Sequence, residues 1–213
     1  MKVSTLVFSL FLSTGVFSKD VSVSVVSNEN IAIPNVVVTL KPKITKQYND
    51  PSDLAIMDQV DTQFLPHILI VQKNSKVVFP NSDSIKHHVY SFSSAKTFEL
   101  QLYKDLQAEP LLFSNPGVVE LGCNIHDWML GYIFVADTPY FAKTNSQGKV
   151  SLDVPDGEYS VQVWSPRFQE ESDVLSIDMT TQVQDSIEVK LVNSLLPDLS
   201  EFEEGNDDFS DYE

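Results

Sequence analysis

Apolar residues in this chain fall into short segments with a two-residue period, separated by polar and turn-forming residues. Residues 21–26, VSVSVV, alternate valine and serine, and residues 33–43, IPNVVVTLKPK, follow across the polar turn SNEN. Neighbouring side chains on a strand face opposite sides, so this alternation predicts strands with one buried face. Residues 47–52, QYNDPS, predict a loop. Segments 55–64, 67–73, 76–81, 87–93, 117–123 and 131–137 are each apolar or alternating and bounded by Pro, Gly, Asn or Asp. Short strands so closely spaced predict an all-β fold of sandwich or barrel type. Only residues 100–107, LQLYKDLQ, read as a brief helix.

Past residue 137 a second pattern begins. Residues 149–154 and 158–164 alternate on either side of PDG, a turn signal, and 174–179 with 186–192 are expected to complete their sheet. The opening MKVSTLVFSLFLSTGVFSKD has Lys2, an apolar run over 3–17 and small residues around Ser18. That is the layout of a secretory signal peptide over 1–18. The run is short for a membrane anchor and is broken by Ser4, Ser9 and Ser13. The expectation is an exported, periplasmic protein with no stable membrane insertion, its mature part beginning near Lys19. The end of the chain, 194–213, is expected to be an acidic disordered tail: from Pro197 onward it has eight acidic side chains and no basic one.

The chain has 213 residues, 42% of them hydrophobic, which is material for a core in one or two domains. Its formal net charge of −16 argues against a nucleic-acid partner, because phosphate binding needs a basic surface. A protein partner with a basic docking surface suits that field better.

The chemistry concentrates in CNIHDWM, residues 123–129. It contains the chain's only cysteine, one of its four histidines and one of its four methionines. In an oxidising compartment cysteines usually pair, so a single one is either interchain or reserved for chemistry. A loop between two strands can fold Cys123, His126 and Met129 toward one point. His87 or His88, at the start of a strand in FPNSDSIKHHVYSF, would complete a His₂Cys set with a weak axial methionine. Those are the ligands of mononuclear electron-transfer copper. Structural zinc normally takes no methionine. A buried inert thiol is the bland reading of Cys123, and the accompanying ligands outweigh it.

At these residues the sequence resembles the cupredoxins, and most of all amicyanins, which share the Cys-x-x-His-x-x-Met loop. The resemblance covers roughly 54–137 and includes PHILIVQKNSKVVFPN, where the family has a strand, a turn and a strand ending in Asn. In that pattern the first His lies six residues after the Asn, which selects His87. The resemblance implies a Greek-key β-sandwich holding one mononuclear copper. His87, Cys123 and His126 would be equatorial ligands, and Met129 the axial one. Asn81 would tie the two ligand loops together, and the backbone N–H of His88 would bond the thiolate. Two residues depart from the family: His88 stands where Asn is common, and Asp127 where Pro is common. Asp127 and Trp128 would form the rim where an electron partner docks.

The flanking segments VSVSVVSNENIAIPNVVVTL and TNSQGKVSLDVPDGEYSVQVWSPRF resemble the two halves of a carboxypeptidase-regulatory-like, transthyretin-like or Ig-like sandwich. This implies a discontinuous second sandwich, 19–46 with 138–193, around the copper domain. Such chains resemble methylamine-utilisation-type cupredoxins. His67 is expected to be structural, Met57 and Met179 to be packing residues, and Tyr132 to belong to the core or the rim. Two functions follow: a non-enzymatic blue-copper electron carrier, or a redox-silent copper carrier or accessory binding module. Four histidines are too few for a trinuclear oxidase, and no nucleophile elbow supports hydrolysis.

Overall fold

The computed structural model describes residues 18–104, 109–169 and 174–198. The expected signal peptide, apart from Ser18, and the acidic tail beyond residue 198 lie outside the described residues. The described part is all-β, with seventeen strands in five sheets. Among the described residues no helix is long and apolar enough to cross a membrane.

Strands β1 (Ser18–Val26) and β2 (Val37–Pro42) open the chain. The valine–serine alternation of β1 buries Val21, Val23 and Val25 and leaves the intervening side chains outside. Three short strands follow: β3 (Leu54–Ile56), β4 (Asp58–Val60) and β5 (Gln63–Leu65). Then come β6 (Ile68–Gln72), β7 (Ser75–Val78), β8 (His87–Ser93), β9 (Lys96–Tyr103) and β10 (Leu111–Phe113). Strands β11 (Gly117–Gly122) and β12 (Leu130–Ala136) enclose the CNIHDWM loop. The chain finishes with β13 (Phe141–Lys143), β14 (Lys149–Pro155), β15 (Glu158–Trp164), β16 (Leu175–Thr180) and β17 (Ser186–Lys190).

The middle strands form a five-stranded sheet, β6-β12-β11-β8-β9, and a three-stranded sheet, β10-β7-β3. Met57, Phe64, Phe79, Phe113, Leu121, Cys123, Met129 and Ile133 share one core there. The first and last strands pair with each other in two further sheets, β14-β1-β17 and β13-β2-β15-β16. Val21, Val23, Leu40, Tyr159, Val161 and Met179 are among the side chains that fill their core.

Strand β12 explains how these two cores come to be joined. Its sequence LGYIFVA is apolar without alternation, the pattern of a strand buried on both faces. Ile133 and Val135 point into the first core. Tyr132, Phe134 and Ala136 point the other way, against Val37 of β2, Ile68 of β6 and Trp164 of β15. Each fully buried side chain of this size stabilises the fold by roughly 1.5–3 kcal/mol. A polar residue at Phe134 would therefore destabilise the junction without touching the inner core.

The structure corrects several sequence-based expectations. Residues 100–103 are the end of β9, paired antiparallel to β8, and not a helix; Lys104 follows as a bend, and 105–107 lie outside the described residues. Pairing with β8 satisfies the backbone of this stretch, and its two-residue period places Phe98 and Leu100 against the core. The expected single strand 55–64 is three pieces. β4 and β5 form a hairpin whose two-residue loop, Asp61 and Thr62, has φ of 50° and 56°. Both central residues left-handed define a type I′ turn. The turn at PDG, by contrast, does not close a hairpin: β14 pairs with β1, while β15 pairs with β2 and β16. It carries the chain from one sheet to the other. β16 and β17 are likewise split between those two sheets.

Candidate metal centre

Three sheet contacts assemble the site. β11 and β12 pair from Gly117↔Val135 to Gly122↔Leu130, so residues 123–129 are held as a closed loop at the end of a hairpin. β11 also pairs with β8 at Gly122↔Tyr90, which sets the start of β8 beside Cys123. Position 122 must be glycine-sized here, because a Cβ would stand 2.7 Å from the Tyr90 ring. At its start β8 is irregular: the register slips between His87 and Val89 against β9. Bulges of this kind re-aim side chains and are frequent beside functional sites.

The result brings three of the expected residues together. Cys123 Sγ lies 4.0 Å from His87 Nδ1 and 3.7 Å from His126 Nδ1. The two imidazole rings are 4.9 Å apart, centre to centre. All three ligand atoms fall within 4.8 Å of one another. His87 is fully buried and Cys123 is 4% exposed, whereas His126 is only half-buried. Met129 is buried in the same core cluster as Cys123, and its backbone N–H donates to the His126 carbonyl.

These separations can be tested against an ion. First-row metals bind nitrogen at about 2.0 Å and thiolate at about 2.3 Å. With trigonal angles, each sulfur–nitrogen edge would then be about 3.7 Å. One observed edge, 3.7 Å, matches that value and the other, 4.0 Å, is slightly longer. One buried sulfur with two imidazole nitrogens facing it is a donor set that fits copper.

The other candidates fall around this group. Asn81 accepts from the Asp83 N–H and donates to the carbonyls of Ile85 and Tyr103. Those bonds order the loop leading to His87 and join it to the end of β9; they do not reach the CNIHDWM loop. His88 points away from the site, as strand alternation requires, with its Nε2 2.9 Å from the Glu99 carboxylate. Asp127 and Trp128 are exposed on the loop, and the Trp128 ring packs against His126 at 5.5 Å with the planes tilted by 52°. His67 lies on the far side of β12, edge-on to Tyr132 at 5.5 Å, and burial holds its pKa below the ordinary value. Met57 and Met179 are buried in the two separate cores.

Sequence reasoning missed Asp83. Its carboxylate stands 2.6 Å from His87 Nε2 and also accepts the backbone N–H groups of Asp61 and Thr62. Burial alone would raise its pKa, but the bonds from Thr62, His87 and Asp61 together outweigh this and hold the carboxyl below its ordinary range. The available signal was its place four residues before His87, one that a polar loop residue fills without remark.

No family model and no curated protein matches the chain. Solved structures that resemble it include a Cu-containing nitrite reductase (NirK) from Thermus scotoductus SA-01. That match has 19% identity and a TM-score of 0.39, and covers 46% of this chain and 26% of the reductase. A reduced Cu(I) form of an amicyanin variant at pH 4 is 18% identical, with 46% of this chain and 98% of that chain covered and a TM-score of 0.36. A second reduced amicyanin variant is 18% identical over the same shares, with a TM-score of 0.37. The chain thus spans about a quarter of the reductase's length.

Proposed function

We propose that this protein is an exported type 1 copper protein that carries single electrons between redox partners. The observation that carries this reading is the convergence of Cys123, His87 and His126 from two distant segments at ligand spacing. His87, Cys123 and His126 would hold one copper ion, with Met129 beside them. Bound there, copper supplies a one-electron couple between Cu(I) and Cu(II).

The remaining work belongs to the protein. Soft sulfur suits Cu(I) and imidazole suits Cu(II), so the mixed set tolerates both charges. Cys123 and His87 are buried, which keeps water from the ligands. His87 opens the paired strand β8, and Cys123 directly follows β11, whose pairing with β12 closes the loop, so the set resists rearrangement between oxidation states. His126 is the half-buried ligand and packs against Trp128, itself 38% exposed, so this edge is the natural outlet for an electron. Asp127 beside it and the net charge of −16 suit a partner with a basic docking surface.

The pairing of β1 and β2 with β13 to β17 supports a discontinuous second sandwich of the carboxypeptidase-regulatory-like kind, which we read as an accessory to the carrier. The amino-terminal layout supports export to the periplasm. The test is voltammetry of copper-loaded protein beside a copper-transfer assay to a chelating acceptor. A reversible one-electron couple with retained copper supports the carrier. Absence of a couple with ready copper release supports the redox-silent alternative and contradicts this proposal.

A further inference from the structure

The β4–β5 turn carries an anomaly. Asp61 and Thr62 both sit in the left-handed region, at φ 50° and 56°. A type I′ hairpin loop demands this of both positions, and Asn-Gly or Asp-Gly normally supplies it. A β-branched residue there is an outlier. Such conformations persist only where surrounding interactions over-determine them, and they cluster at functional sites.

The surrounding interactions all lead to the metal centre. The Asp61 N–H donates at 2.6 Å to one oxygen of Asp83, and the Thr62 N–H donates at 2.9 Å to the other. The Asp83 side chain is 11% exposed, and its second oxygen lies 2.6 Å from His87 Nε2. A carboxylate only accepts hydrogen bonds, so His87 Nε2 must carry the hydrogen. In the neutral ring Nδ1 is then a bare acceptor, and Nδ1 is the atom that faces Cys123 Sγ. Thr62 also reaches the second ligand loop: its Oγ1 lies 3.4 Å from the indole Nε1 of Trp128, between His126 and Met129.

We propose that Asp83 and the Asp61–Thr62 turn form a positioning clamp: it fixes His87 in the Nε2–H tautomer before metal arrives and ties both ligand loops to one hairpin. The part played in copper binding rests on the functional reading above; the tautomer does not. A carboxylate on the distal N–H makes the imidazole a stronger donor, which favours the more highly charged ion. Replacing it by a neutral amide should therefore raise the reduction potential. Strain in the turn is offset by the Asp83 contacts, which explains why the turn needs neither glycine nor asparagine.

The first measurement is ring-nitrogen NMR of the copper-free wild-type protein, which needs no substitution. His87 protonated at Nε2 supports the clamp, and protonation at Nδ1 overturns it. The second compares copper-loaded wild type with Asp83→Asn. A raised potential and a roughly 10- to 100-fold loss of copper affinity are expected. Wild-type values for both in that variant overturn the clamp. Thr62→Gly keeps the turn and its amides but deletes the hydroxyl. It should leave the His87 tautomer unchanged and shift the Trp128 indole N–H resonance; an unmoved resonance removes the tie between loops. A wild-type protein with the expected tautomer but no affinity for copper would sink the functional reading and leave the clamp standing.

Discussion

Cys123 Sγ and His87 Nδ1 stand 4.0 Å apart although 36 positions separate the two residues in the chain. Their meeting is a consequence of sheet register. Gly122 pairs with Tyr90, and both residues lie close to that pair, Cys123 as the next residue and His87 three residues back along β8. Side chains alternate with a period of two, so a one-residue slip of β8 against β11 would turn His87 toward the outer face. The same core that stabilises the sandwich therefore sets the spacing of the candidate ligands.

Replacing Cys123 by serine should abolish the visible absorption of the copper-loaded protein and leave the fold intact. The thiol is buried beside Met129 and Leu121, and serine is close to it in size. Circular dichroism and absorption of the same sample check both halves. A variant that kept the colour would remove Cys123 from the site.

Gly131→Ala should destabilise the fold by about 1–3 kcal/mol, because overpacking forces displacement of neighbours. A Cβ there would stand 2.7 Å from the Phe64 Cβ, and Phe64 is 1% exposed. Gly157→Ala is the control: its nearest neighbour would be 3.5 Å away, an ordinary contact. Denaturant titration of the two variants should separate them clearly.

Tyr103→Phe should cost roughly 1–3 kcal/mol by leaving buried polar groups without a partner. The hydroxyl donates to the Phe79 carbonyl at 2.6 Å and accepts from the side-chain amide of Gln59, which is fully buried. Equilibrium unfolding measures the loss. A change within experimental error would mean that this bridge between β4, β9 and the chain after β7 contributes nothing net.

Alkali should unfold the protein through its tyrosines. Burial, the largest cause in each case, pushes the Tyr103, Tyr132 and Tyr159 hydroxyls up to about 12 from an ordinary 10.0. Their folded pKa values exceed the unfolded ones, so the native state binds more protons in that interval. The stabilisation is intact below about pH 10 and is lost as pH rises toward 12. Phenolate absorbance should rise together with unfolding in that window. Titration of these three hydroxyls near 10 in a folded protein would contradict their burial.

What the sequence disclosed, and what it hid, divides along physical lines. The alternation of residues 21–26 and the unbroken apolar run of 130–136 report burial directly, and the structure returns a one-faced and a two-faced strand there. The grouping of Cys123 and His126 was legible because rare residue types crowd one loop, and that of His87 because a family spacing selects it. The β4–β5 turn was hidden because Asp61 and Thr62 lack the glycine or asparagine that marks a left-handed loop. β9 was hidden because it lies at a sheet edge, where half-buried Phe98 and Leu100 give only weak contrast. Asp83 was invisible for another reason. Its partners Asp61 and Thr62 lie more than twenty positions upstream, and only the folded chain brings them within reach.

The most direct test of the account is the visible and paramagnetic-resonance spectrum of the protein loaded with Cu(II), with copper counted per chain. A type 1 centre at His87, Cys123 and His126 should give one copper per chain, an intense visible band from the thiolate–Cu(II) bond and a signal whose copper hyperfine splitting is narrowed by the sulfur. A colourless protein that holds copper with the wide splitting of nitrogen and oxygen ligands alone would contradict it.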